Sequence, residues 1–223
     1  MIKYEPVPLT EHDRLLGANF ADNFAQEMRA YYAPFLAKNR KIQLAKETWE
    51  YGVADSIPGA QWCGSGNSVV DVSAPRCSLD VKGLSAQDLT KETTEASFLQ
   101  NLQKGADGYS QAWANKDWLT LKKIFVDPLT PKTAGIDNLH LLVIVRTKKD
   151  HAVHYGLLKA LPNSLTEEEF VHQMYQHAGR SVSVPIIDSN IGRTYICISK
   201  RRLELRIDCE NFAPYLKFSH YSN

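Results

Sequence analysis

The chain has 223 residues, a formal net charge of +1, and 43% hydrophobic against 23% charged side chains. That balance implies a packed core and excludes a disordered chain or a histone-like binder that recruits polyanions through its overall field. No apolar run reaches bilayer length and no leader pattern opens the chain, so a cytoplasmic protein without a membrane partner is expected.

In chain order, Leu15, Leu16, Phe20, Phe24, Met28 and then Tyr31 or Tyr32 recur at steps of three and four. This is the spacing of one helix face. Thr10 and Asp13 form a capping-box pattern at its start, and Pro34 marks its end. A second helix is predicted over about 37–51, stopping near Gly52. The stretch GVADSIPGAQWCGSGNS reads as a loop. It is glycine-rich but lacks the lysine of a phosphate-binding loop and leads into a strand.

Two short apolar runs follow, separated by SAPR, and Pro75 marks them as a β-hairpin or two adjacent strands. From Ser85 to about Gly105 the pattern predicts a helix with Ala96, Leu99 and Leu102 on one face. Another helix is predicted from Asp117 to Phe125. LHLLVIVRT has the continuous apolar look of a buried central strand, and AVHYGLLKAL reads as its hairpin partner. LTEEEFVHQMYQH is a short helix capped by Ser164 or Thr166, and TYICISKRRLELRID contributes one or two strands. Helices, strands, helices and strands in that order predict an α/β or α+β fold with a mixed central sheet flanked by helices. The expectation is a single domain over 1–223, with a helical part at 1–52, a core at about 45–160 and closing strands within 161–223.

The four cysteines (Cys63, Cys77, Cys197 and Cys209) form no C-x-x-C pair and no zinc spacing with histidine, so they read as reduced, mostly buried thiols. The chemistry lies elsewhere. Asp71 sits in one apolar run, and Asp80 with Lys82 in the next. Ionised groups in core-like strands cost several kcal/mol unless they are paired or bind metal. On a strand, Asp80 and Lys82 share a face. If the two strands are neighbours, both carboxylates can meet, and a divalent metal would relieve their repulsion.

Asp, a short turn, then Asp-x-Lys resembles the PD-(D/E)xK nuclease superfamily, with Val70 where a proline is usual. The resemblance covers about residues 45–100 and implies a restriction-endonuclease-like fold. It implies Mg²⁺ held by Asp71, Asp80 and the Val81 carbonyl, with Lys82 positioning the attacking water. It also implies a further acid from the preceding helix, either Glu50 or Glu47, with Glu50 favoured for its place nearer the strands. The implied activity is sequence-specific cleavage of double-stranded DNA by a homodimer, as in type II restriction. Ser65, Asn67, Ser73 and Arg76 around the hairpin, and Lys200 and Arg201 in the basic SKRRLELR stretch, are the implied DNA contacts.

Two other readings stand beside it. One is a nuclease of the same fold that acts in repair or phage defence without sequence specificity. The other is a non-catalytic DNA-binding or interaction protein in which Asp80 and Lys82 merely pair.

Overall fold

The computed structural model describes residues 3–38, 46–64, 69–90, 93–98, 108–125, 136, 138–161, 166–177, 183–197 and 202–222. The fold is mixed α+β, with a seven-stranded mixed sheet flanked by helices. The residues pack into two compact units, one comprising 6–94, 136–160 and 208–223, the other 95–135 and 161–207 with the first five residues.

In the larger unit the amphipathic start forms two helices, α1 (Leu9–Leu16) and α2 (Phe20–Leu36), broken at Gly17, whose φ of 99° ends α1. The predicted face is the buried one: Leu15, Leu16, Phe20, Phe24, Met28 and Tyr32 all enter one core. The capping details differ from expectation. Pro8 occupies the N-cap of α1 with no side-chain cap, and Pro34 lies within the last turn of α2. Lacking an N–H, Pro34 leaves the Ala30 carbonyl without its intrahelical donor, and the helix ends two residues later. The next helix, α3, spans Lys46–Ser56 and runs straight through Gly52. The part of the second predicted helix at 39–45 lies outside the described residues.

The sheet contains β1 (Lys3–Pro6), β2 (Gln61–Trp62), β3 (Val72–Ala74), β4 (Cys77–Ala86), β6 (Leu139–Thr147), β7 (Ala152–Leu161) and β11 (Lys217–Tyr221). Its order is β1-β7-β6-β4-β3-β2, with β11 also paired to β7. The predicted β3–β4 and β6–β7 hairpins are both present and antiparallel. β4 and β6 are parallel neighbours, with Asp80 opposite Leu141 and Lys82 opposite Val143. Along β4, Leu79 and Val81 join the core beneath the helices, while Asp80 and Lys82 alternate to the other face. Gly83 lies on the helix side. A β-carbon there would come 3.3 Å from the Trp49 ring, so its absence lets α3 lie close against β4.

The smaller unit holds β5 (Thr93–Phe98), α4 (Tyr109–Ala114), α5 (Trp118–Phe125), α6 (Glu167–His177), β8 (Ser183–Ser189), β9 (Gly192–Cys197) and β10 (Arg202–Asp208). Its sheet is ordered β5-β10-β9-β8. Trp118, Leu121, Phe170, Met174, Val184 and Ile196 form its core. Thr166 caps α6 reciprocally: its hydroxyl accepts from Glu169 N, and Glu169 Oε2 accepts from Thr166 N at 2.7 Å. The other expected cap, Ser164, lies outside the described residues. The helix predicted over Ser85–Gly105 is corrected. The chain stays in β4 to Ala86 and forms β5 over Thr93–Phe98, which pairs with β10; the predicted helical positions 91–92 and 99–105 lie outside the described residues. A short α7 (Cys209–Phe212), capped by the Asp208 carboxylate, leads into β11. No described helix is long and apolar enough to cross a membrane. None of the four cysteines is in a disulfide, and only Cys63 among them is exposed.

His220, buried on β11 between Phe24 and Tyr32, makes acid stability testable. Burial, helped by the Arg29 cation, pushes its pKa down from 6.5 to about 4. The folded chain therefore keeps this ring neutral where the unfolded chain protonates it. The stability it contributes is complete above pH 6.5 and is lost as the pH falls towards 4. Buried His12 and His140 shift in the same direction. His220→Phe is expected to flatten the pH dependence of the urea midpoint between pH 6.5 and 4. An unchanged acid limb would remove His220 from this role.

Candidate active site

The β3–β4 hairpin is short, with Val72 opposite Leu79, Ser73 opposite Ser78 and Ala74 opposite Cys77. Asp71, just before β3, also donates its N–H to Leu79 O at 2.8 Å. That bond is out of step with the hairpin register, in which Val72 is the partner of Leu79. Here the Asp71 carboxylate turns along the sheet, and its Oδ2 accepts the Val81 N–H at 2.8 Å.

That turn brings the three sequence-predicted residues together. Lys82 Nζ bonds Asp80 Oδ1, lies 3.6 Å from Asp71 Oδ2, and reaches the Val81 carbonyl oxygen at 3.3 Å. Asp71 is 6% exposed and Asp80 7%. Burial pushes the Asp80 pKa up to about 7; the Lys82 ammonium opposes this shift and the Asp71 carboxylate adds to it. One ammonium therefore sits at the focus of three oxygens, including one from each of two crowded carboxyl groups.

The remaining predicted residues are placed differently. Glu50 lies on α3, 1% exposed, and its Oε2 accepts the Trp62 indole N–H at 3.1 Å. Glu47 is half-buried in the first turn of the same helix. Among the described residues, no three His, Cys, Asp or Glu side chains gather closely enough to hold a metal ion, so Glu50 does not complete a three-acid cluster with Asp71 and Asp80. Arg76 is exposed, but its guanidinium donates to the Arg14 carbonyl at 2.7 Å, which ties the hairpin turn to the end of α1. Ser73 is exposed on β3. Ser65, Asn67, Lys200 and Arg201 lie outside the described residues.

Sequence reasoning passed over one feature. Trp62, inside a segment read as plain loop, forms β2 and stands against Tyr51 of α3, the ring centroids 4.5 Å apart. A lone tryptophan amid glycine and serine was the available signal. In comparisons with known proteins, no protein-family model, curated protein or solved structure matches this chain.

Proposed function

We propose that this protein is a divalent-metal-dependent DNA endonuclease of the PD-(D/E)xK type. The observation that carries the reading is the convergence of Asp71, Asp80 and the Val81 carbonyl on a single cationic centre, the Lys82 ammonium. Three hard oxygens around a point that already attracts positive charge suit Mg²⁺, and relief of carboxylate crowding favours its entry. When bound, Mg²⁺ would supply polarisation of a phosphoryl oxygen and a more acidic water. Asp71, Asp80 and the Val81 carbonyl would hold the metal, and Lys82 would orient water or steady charge on the phosphoryl oxygens. Glu50 supports the neighbouring surface through Trp62 rather than joining the acids. The finer reading is a cytoplasmic homodimer cutting duplex DNA at a palindrome, whose symmetry would match that of the protein.

The second reading, a structural ion pair in a non-catalytic protein, is favoured by the same contacts taken without a metal. Plasmid cleavage separates the two. Cleavage is expected to require Mg²⁺ and to fall at least about a hundredfold in Asp80→Asn and Lys82→Ala. Circular dichroism would confirm that both variants are folded. Discrete fragments support the sequence-specific reading, and a smear supports a non-specific nuclease. Undiminished Mg²⁺-dependent cleavage by Asp80→Asn would overturn the site.

A further inference from the structure

Arg146 and His220 stand on either side of Val153, in one row across β6, β7 and β11. Val153 faces the core shared with α2, and residues in one row point to the same side of a sheet. The His220 and Tyr32 rings lie 6.1 Å apart, centroid to centroid. Arg29 precedes Tyr32 by three residues on α2, so the two share a helix face. Four polar side chains from three elements thus gather on the α2 side of the sheet.

Tyr32 and His220 are each 2% exposed, yet the Tyr32 hydroxyl and His220 Nε2 are buried with no hydrogen-bond partner. Such atoms are costly to leave unmet, so nearly all of them bond a protein group, a water or a ligand. The local charge is also unbalanced. Burial raises the Tyr32 pKa and the Arg146 cation opposes that rise, while burial lowers the His220 pKa and the Arg29 cation adds to the fall. Among the described residues, no carboxylate acts on either ring, and neither arginine has a hydrogen bond or an ion pair.

The bonds around His220 define its free nitrogen. The Ser219 hydroxyl donates to Ala21 O at 3.2 Å, and its oxygen lies 3.0 Å from His220 Nδ1. With its one proton committed, that hydroxyl accepts from Nδ1, so in the neutral ring Nε2 carries a lone pair.

We infer that Arg29, Arg146, Tyr32 and His220 form a site for a small tetrahedral oxyanion of the phosphate type, free or as a terminal monoester. The exposed Arg29 and half-buried Arg146 admit the ion and neutralise it. The Tyr32 hydroxyl donates to one oxygen, and a protonated phosphate oxygen meets the Nε2 lone pair. Sulfate carries no proton near neutral pH and lacks that last bond. The site is on the helix side of the sheet, opposite Asp80 and Lys82, and stands independently of the nuclease reading.

Isothermal titration calorimetry of the full chain with inorganic phosphate, at constant ionic strength, is the test. One saturable site is expected in the parent. Tyr32→Phe, Arg29→Gln and Arg146→Gln are each expected to weaken phosphate binding roughly tenfold or more, the usual effect of losing a hydrogen bond to a charged group. Tyr32→Phe keeps the ring and its packing, so its loss reports the hydroxyl alone. Lys123→Gln removes an exposed cation of the smaller unit and is expected to change nothing. Sulfate is expected to bind about tenfold more weakly than phosphate. A 5′-phosphorylated oligonucleotide and its 5′-hydroxyl form, compared in EDTA, separate the two sources. A preference for the phosphorylated form that Arg146→Gln abolishes assigns a terminal monoester; phosphate binding without that preference assigns the free ion. Absence of saturable phosphate binding overturns the inference and leaves the two buried atoms to an enclosed water. Equal affinity for sulfate, or phosphate binding unchanged in Tyr32→Phe and Arg146→Gln, overturns it as well.

Discussion

Replacing Lys82 with methionine is expected to destabilise the metal-free protein by about 3–5 kcal/mol, the usual cost of removing one partner of a buried ion pair. At this chain length that corresponds to a fall in melting temperature of roughly 6–20 °C. The cause is specific. Lys82 Nζ is the cation facing Asp80 Oδ1 and Asp71 Oδ2, and both carboxyls are buried. Methionine fills a similar volume and leaves them facing each other. Loss of the ammonium also raises Asp80 further, because that ammonium is what holds its pKa down. The variant should therefore lose more stability at pH 8 than at pH 5.

Mg²⁺ or Mn²⁺ then gives the decisive measurement. If the three oxygens form a metal site, the divalent ion is expected to raise the melting temperature of Lys82→Met more than that of the parent, where it must first displace the ammonium. Calorimetric scans of both proteins, with and without the ion, read this directly. Equal shifts, or none, would leave the contacts as an ion pair alone.

The second large effect concerns the smaller unit. Gly192→Ala is expected to cost about 3 kcal/mol or more, combining backbone strain with an overlap that cannot relax. Gly192 has a φ of 151° and stands opposite Ile207 in the β9–β10 ladder. A β-carbon there would overlap the Arg206 carbonyl oxygen and come within 3.0 Å of Ile207 Cα. Both obstacles are backbone, and neither moves without opening the ladder. Hydrogen exchange should show protection lost first in 183–197 and 202–207. A melting temperature within a degree of the parent would contradict this account.

Much of the framework was legible because its signals are local. Alternation and turn chemistry marked the β3–β4 and β6–β7 hairpins, and the helical period marked the buried face of α1 and α2. Thr166, one of the two expected caps, starts α6, where its hydroxyl accepts the Glu169 N–H. The main failure came where a distant partner decides. Ala96 shares helical spacing with Leu99 and Leu102, which lie outside the described residues, but Thr93–Phe98 is held as a strand by β10, more than a hundred residues away in the chain.

The candidate site divides along the same line. Sequence by itself determined that Asp80 and Lys82 share one face of a strand, since a period of two admits no other arrangement in regular β structure. It also made Asp71 their neighbour through a short turn. Tertiary structure decided the rest. Just before β3, the bond from Asp71 N–H to Leu79 O goes with a carboxylate that reaches the Val81 N–H and Lys82. Helix α3, settled close over Gly83, carries Glu50 to the Trp62 indole and not to the other acids. Periodicity settles which residues share a face; where a carboxylate ends up also depends on backbone irregularity and on the packing of elements far apart in the chain.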